Sequence, residues 1–136
     1  MMNRRIRPLA ALAALSLLLG VTACSDDSPL APFQPEVSNL PDTFQLQATG
    51  VTNRTATLDY TWANSGTQGN VNHSTTTTAG TARVIIRDSG GALVYDEILV
   101  PSLNEPTLAG ATGNWTIQLI LTGYSGTLNF RVEKTT

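Results

Sequence analysis

The chain has 136 residues, of which 13% are charged, and its formal net charge is −2. This acidic balance argues against the basic face that binding to nucleic acid or to anionic lipid head groups requires, so no nucleic-acid partner is predicted. With a single cysteine, Cys24, the chain has no internal disulfide, and an exported domain would depend on its hydrophobic core alone.

The first 24 residues have the three parts of a secretory signal peptide. Arg4, Arg5 and Arg7 make the start cationic, an apolar run fills residues 9–20, and small residues precede Cys24. The run is shorter than the roughly 20 apolar residues that span a bilayer. The sequence therefore predicts export, with a signal peptide over residues 1–23.

The four residues Val21-Thr22-Ala23-Cys24 resemble the lipobox of bacterial lipoproteins. The resemblance implies diacylglyceryl transfer to the Cys24 sulfur, cleavage before Cys24 and a lipid-anchored chain in the bacterial cell envelope. Because Ser25 rather than aspartate follows the cysteine, it also implies sorting to the outer membrane. A free thiol or half of an intermolecular disulfide is the alternative for Cys24. Loss of the signal arginines leaves a net charge of about −5.

Residues 24–41 are predicted to form a tether between the lipid and a single domain over residues 42–136. Four prolines interrupt any helix or strand ladder there: Pro29, Pro32, Pro35 and Pro41. At roughly 3 Å per residue, such a tether would hold the domain up to about 50 Å from the membrane. Phe33, Val37 and Leu40 leave open that part of it folds back on the domain.

The first half of the domain shows the two-residue period of half-buried strands. Phe44, Leu46 and Ala48 share one face of a first strand. A second strand places four residues on its inner face: Ala56, Leu58, Tyr60 and Trp62. Residues 71–78 are polar and include four consecutive threonines, which favours an edge strand or a long loop. His73 is predicted to be a solvated histidine of that stretch.

Residues 83–100 are predicted to form a hairpin whose turn, residues 88–91, contains two glycines. Leu93 and Tyr95 lie on one face, whereas Ile98 and Val100 have the opposite parity. A bulge near Asp96-Glu97 would restore one apolar face. Residues 101–113 are interpreted as a loop.

The clearest alternation is in the last segment of the chain, where the inner row is Trp115, Ile117, Leu119 and Leu121. Residues 123–126 are predicted to turn the chain, and Leu128, Phe130 and Val132 return on one face. About seven short strands without a helix predict an all-β, antiparallel β-sandwich with both tryptophans in one core. The pattern resembles immunoglobulin-like and jelly-roll accessory domains of exported bacterial proteins.

The sequence contains no constellation that predicts catalysis, a cofactor or a metal centre. The only histidine is in a polar stretch, and no spacing singles out a carboxylate pair for glycoside hydrolysis. Calcium is the least implausible metal, because Asp88, Asp96 and Glu97 lie in one hairpin.

We therefore expect a noncatalytic module that binds an envelope protein or serves a structural role. Ile85 between Arg83 and Arg87, and Ile120 on the parity opposite the core, are the candidate binding residues. A glycan-binding module is the alternative, with Tyr124 and Tyr95 as its candidate exposed rings. A small hydrolase is the second alternative.

Overall fold

The computed structural model describes residues 28–135, which form an all-β domain of seven antiparallel strands. A short 3₁₀ helix, Ala31–Phe33, precedes them. The strands are β1 (Glu36–Leu40), β2 (Thr43–Asn64), β3 (Gly69–His73), β4 (Thr76–Arg87), β5 (Leu93–Ile98), β6 (Leu103–Pro106) and β7 (Gly113–Lys134). The predicted all-β sandwich of about seven strands is confirmed. The signal peptide and Cys24 lie outside the described residues.

The two longest strands, β2 and β7, form a ribbon that folds back on itself. They pair from Thr43 opposite Glu133 to Asn64 opposite Gly113, with register shifts between Ala48 and Ala56. The backbone N–H of Asp42 donates to the Ala63 carbonyl at 2.8 Å, so the two ends of β2 meet. Because of this fold, one ribbon contributes strands to two facing layers.

We call these layers A and B. Layer A contains β1, the first half of β2, the second half of β7, β3 and β6, in that order. Layer B contains the second half of β2, the first half of β7, β4 and β5. The register shifts of the ribbon lie where one layer passes into the other, as expected if bulges allow strands to bend sharply.

The core between the layers is built from the inward-facing rows of the long strands. Trp62 and Trp115 are fully buried and meet edge to face, with ring centroids 5.8 Å apart and an interplanar angle of 87°. Phe44 lies against Tyr60 at 5.1 Å and Phe130 at 5.7 Å. Both tryptophans therefore share one core, as predicted, in the edge-on geometry that aromatic pairs prefer.

Residues 123–126 do not form the predicted hairpin turn, because β7 continues through them. Gly123 has φ of 52° and Gly126 has φ of 147°, and the strand bends at these positions. A Cβ on Gly126 would lie 2.0 Å from the Thr76 carbonyl oxygen. The glycines thus admit a bend and the close approach of β4 rather than a chain reversal.

Residues 71–78 were predicted to be an edge strand or a loop, and this is wrong. Strand β3 lies between β7 and β6, and Val71, His73 and Thr75 are buried. The segment 101–113 likewise contains β6, which pairs with β3. A strand with few apolar residues is buried here because layer B and β6 cover it.

The hairpin of β4 and β5 is confirmed, but its bulge is elsewhere. Ile86 pairs with Tyr95 and Arg87 with Leu93, so Val94 is the extra residue. Val94 and Tyr95 are both buried, whereas Leu93 is exposed. The prediction of a bulge at Asp96-Glu97 is wrong, because the alternation of inward and outward side chains along β5 shifts at Val94, before these residues.

The ordered domain begins before the predicted boundary at residue 42. Leu30 is fully buried, and β1 pairs with β2 from Glu36 opposite Gln47 to Leu40 opposite Thr43. The Arg54 guanidinium lies 5.1 Å above the Phe33 ring. Residues that were assigned to the tether belong to the domain, because Leu30 is buried in it and β1 pairs with the edge of β2. Across residues 28–135, no helix is long and apolar enough to cross a membrane.

Candidate functional site

The outward-facing side chains of layer B bring most of the predicted binding residues onto one surface. Cross-strand partners in an antiparallel sheet project to the same side. Arg83 has Ile120 of β7 on one side and Ile98 of β5 on the other. We call this surface the layer B outer face; it comprises Thr57, Asp59, Thr61, Arg83, Ile85, Arg87, Asp96, Ile98, Thr116, Gln118 and Ile120.

Ile85 and Ile120 lie on this face but are not directly opposite each other. Ile85 pairs with Gln118, and Ile120 pairs with Arg83, which makes the two isoleucines diagonal neighbours on adjacent strands. Diagonal partners have Cβ atoms roughly 7 Å apart, within reach of branched side chains. Both are partly exposed, and Ile98 is 51% exposed. The face therefore carries three isoleucines in one neighbourhood.

Arg83 is held in place by a two-pronged contact with Asp96. Its Nε donates to Oδ1 and its Nη2 to Oδ2 of the carboxylate, each at 2.7 Å. This hydrogen bonding lowers the pKa of Asp96 and raises that of Arg83. Both side chains are partly exposed, so solvent screens the attraction. The main consequence is a fixed orientation of the guanidinium between Ile98 and Ile120.

Arg87 makes no ion pair within the described residues. Its Nη1 lies 3.5 Å from the Gly91 carbonyl oxygen, at the limit of a hydrogen bond. It borders a shallow cavity of about 260 Å³, together with Asp59, Tyr60, Thr61, Ile85, Thr116 and Gln118. The Gln118 Nε2 donates to Asp59 Oδ1 at 2.9 Å. A cationic group and an apolar wall thus stand beside groups that can donate and accept hydrogen bonds.

Tyr124, proposed from the sequence as a binding residue, is fully buried, so that prediction is wrong. Its hydroxyl donates to the Thr76 carbonyl oxygen at 3.0 Å, and burial raises its pKa. It lies at the bend of β7, where the ring turns into the core. Tyr95, the second candidate ring, is 7% exposed.

His73 is also buried, at 2% exposure, although it was predicted to be solvated. Its Nδ1 lies 2.9 Å from the Val100 carbonyl oxygen, and no described group forms a hydrogen bond with the buried Nε2. Gly69, Val71 and Thr75 have the same parity as His73 and are also buried, but Val71 is the only large apolar residue of the four, so the sequence carried little signal for this burial. The ring contributes to the packing between β3 and the segment after β5.

The candidate calcium ligands do not converge. The Asp88 carboxylate accepts hydrogen bonds from the backbone N–H of Ala111, Ala92 and Gly90, which lowers its pKa. Asp96 is occupied by Arg83. No group of three His, Cys, Asp or Glu side chains in residues 28–135 could hold a metal ion. Asp88 instead ties the β4–β5 turn to the segment before β7.

Comparisons with known proteins add a distant likeness of fold. No protein-family model matches the sequence, and neither does any curated protein. Among solved structures, the chain is similar to the C-terminal CBM6 of LamC, a marine laminarinase from Zobellia galactanivorans. The TM-score is 0.35 at 8% identity, over 74% of this chain and 88% of that one. A likeness of this size assigns neither a ligand nor a residue's role.

Proposed function

We propose that this chain is a lipid-anchored, noncatalytic module of a bacterial cell envelope that binds another protein through the layer B outer face. The observation that carries the proposal is the grouping of Ile85, Ile98 and Ile120 around Arg83. Arg87 lies beside them and makes no ion pair within residues 28–135. Protein-binding surfaces combine an apolar centre with arginine and a polar rim. Asp59, Thr61, Thr116 and Gln118 supply such a rim.

The distribution of aromatic rings supports a protein ligand over a glycan. Glycan recognition by a sheet face calls for rings that lie open to solvent. All eight aromatic residues of the sequence fall in the described part of the chain, and none is among its exposed large hydrophobic side chains. Six of the eight rings are buried in the core, and Phe33 and Tyr60 are partly buried against it, which leaves the isoleucines and arginines as the main recognition chemistry of the outer face.

The noncatalytic part of the proposal is supported by the state of the single histidine. His73 is buried and its Nδ1 is engaged by the Val100 carbonyl, so it does not face a cleft where it would activate a nucleophile. The carboxylates with lowered pKa values are occupied by the Ser65, Ala111 and Arg83 donors.

The anchor is proposed from Val21-Thr22-Ala23-Cys24, with the lipid on Cys24 and the outer membrane as its location. Since Leu30 is buried, residues 25–29 alone separate Cys24 from the domain. At about 3.5 Å per residue, they hold the domain within about 20 Å of the membrane surface. In this proposal, the end nearest the membrane is the bend of the β2–β7 ribbon, where Phe33 packs beside Arg54.

The experiment is site-specific photocrosslinking of the full-length protein in its own envelope. A crosslinking residue at Thr61, on the outer face, should give a protein adduct that the double variant Ile85→Thr, Ile120→Thr lacks. Leu40→Thr, an equal change at an exposed site on β1, is the matched control and should retain the adduct. An undiminished adduct in a folded double variant would show that the partner binds elsewhere.

A further inference from the structure

Strand β5 is an open edge of layer B. Within residues 28–135 it pairs with β4 alone. The Leu99 N–H donates to the Ala82 carbonyl of β4. Along an antiparallel pair, residues whose peptide groups bond to the partner strand alternate with residues whose peptide groups point away from it. The peptide groups of Asp96 and Ile98 therefore point away from β4. Apart from its pairing with β4, this strand has one backbone hydrogen bond within residues 28–135: the Leu108 N–H donates to the Val94 carbonyl oxygen at 2.8 Å. From Asp96 onward, the strand can therefore receive a neighbour.

Exposed apolar side chains concentrate along this edge. Six large hydrophobic residues of the described chain are exposed, and four of them lie on β5 or beside it: Leu93, Ile98, Val100 and Leu108. Val37 and Leu40 of β1 are the other two. Single exposed apolar residues are normal on a protein surface, whereas a group along an unpaired strand marks an interaction edge.

A groove of about 320 Å³ separates β5 from β6, and its polar lining is acidic. The Tyr95 hydroxyl donates to Glu105 Oε1 at 2.9 Å across it. Burial raises the pKa of Tyr95, and the hydrogen bond to Glu105 and the negative charges of Glu105 and Glu97 raise it further. Neither glutamate makes an ion pair within the described residues. The groove thus carries two uncompensated carboxylates.

We propose that β5 docks an extended, basic segment of the protein partner by strand addition, a step that rests on the proposed function and locates its contact. Glu97 lies on the inward parity of β5, whereas Leu93 and Ile98 lie on its outer face. Because side chains alternate along a strand, the segment that fits alternates lysine or arginine with apolar residues. Its basic side chains reach Glu97 and Glu105, and its apolar ones cover Ile98, since Leu108 already occupies the edge at Val94.

Charge decides against a second copy of this chain as the occupant. Pairing of β5 with another β5 would bring Asp96 and Glu97 of the two strands together, and like charges across strands destabilise a sheet. The other edge strands of the described chain are β1, β6 and the second half of β2 from Ala56; they carry Glu36, Glu105 and Asp59, respectively, and no basic residue. An inward-pointing charge such as Glu97 is a device by which edge strands avoid self-pairing. A basic strand satisfies that charge, and a copy of this chain does not.

The test uses full-length protein in detergent and an eight-residue peptide that alternates lysine with valine. The peptide should slow hydrogen exchange of the Asp96 and Ile98 amides by about tenfold or more, since strand addition gives them acceptors. A peptide with glutamate in place of lysine should leave both amides unchanged. Glu97→Lys should weaken binding of the lysine peptide about fivefold or more, whereas Glu36→Lys on β1 should change it less than about twofold.

Two results would overturn the proposal: binding that leaves the Asp96 and Ile98 amides unprotected, or equal weakening by Glu97→Lys and Glu36→Lys. Crosslinking in the envelope separates this outcome from failure of the proposed function. If the adduct at Thr61 is lost in Ile85→Thr, Ile120→Thr but kept in Glu97→Lys, the outer face binds the partner and the edge does not. If the peptide protects β5 while the double variant keeps its adduct, strand addition at β5 is supported and binding through the layer B outer face is ruled out.

Discussion

The carboxylate of Asp42, just before β2, accepts hydrogen bonds from both the backbone N–H and the hydroxyl of Ser65, just after β2, at 2.7 and 2.9 Å. Lys134 at the end of β7 adds an ion pair with Asp42 at 3.1 Å. One side chain therefore joins both ends of a 22-residue strand to the end of its long partner. The ribbon stays folded partly because its ends are tied together in this way.

Asp42→Asn is expected to lower the unfolding midpoint and to flatten its acid dependence. The Ser65 backbone and hydroxyl hydrogen bonds, and then Lys134, lower the folded-state pKa of Asp42. A carboxyl with a lowered pKa contributes stability that is present above its unfolded value, about 3.9, and is lost as pH falls through the folded value. Asparagine retains the shape and tolerates the φ of 66° at this position.

Thermal melts between about pH 2 and 6 measure this effect. Asp59→Asn, at an exposed carboxylate on the layer B outer face, is the control and should leave the profile near that of the wild type. An Asp42→Asn profile parallel to the wild-type one throughout this range would contradict the prediction.

Gly126→Ala should destabilise the domain by about 3 kcal/mol or more, because the new Cβ would collide with the Thr76 backbone in addition to straining φ. The Cβ would lie 2.0 Å from the Thr76 carbonyl oxygen, and φ is 147°. Gly91→Ala is the control, since φ is 85° but no atom lies within 4 Å of its Cβ. It should cost only about 1 kcal/mol in urea unfolding. If the two variants lost equal free energy of unfolding, the strained φ alone would explain the effect, and the contact with Thr76 would contribute nothing.

Trp115→Ala should cost about 3 to 5 kcal/mol, the range for truncation of a buried aromatic residue. The ring is fully buried against Trp62, and its Nε1 donates to the Ala111 carbonyl at 2.7 Å. Trp115→Phe should lose less because it retains most of the packing. A loss below about 1 kcal/mol for the alanine variant in urea melts would mean that the core does not depend on this ring.

Leu30→Ala should destabilise the domain by about 2 to 5 kcal/mol, although residue 30 lies within the predicted tether. The side chain is fully buried, whereas Leu40 on β1 is 60% exposed. Leu40→Ala is therefore the matched control and should change the free energy of unfolding by less than about 0.5 kcal/mol. If the two variants melt alike, the segment before β1 does not belong to the folded unit.

Cys24→Ala should leave a precursor that is neither lipidated nor cleaved before residue 24. Stable anchoring depends on two or more acyl chains, each methylene contributing about 0.8 kcal/mol. Fractionation with a carbonate wash and mass spectrometry of the N-terminus measure both effects. A variant that is processed normally and stays with the membrane would rule out Cys24 as the anchor. Ser28→Ala, a change of similar size at the start of the described chain, should be processed and anchored like the wild type.

Local alternation in the sequence determined the strands and many of their inner faces. The period of two around Trp62 and Trp115 predicted two buried rows, and residues 88–91 predicted the reversal between β4 and β5, because these patterns depend on nearest neighbours along the chain. The same parity rule placed Arg83, Ile85, Arg87 and Ile120 away from the core. That rule does not predict which strands lie beside these residues.

Only the tertiary structure decided where long strands bend and what covers each face. Glycines at 123 and 126 permit positive φ in a turn and in a bend alike, and the passage of β4 across Gly126 selects the bend. His73 and Tyr124 are buried because other strands lie over them, although their own neighbours in sequence are polar or small. The open edge at β5 likewise exists because the pairing ends there, and strand pairing is set by contacts between residues far apart in the chain.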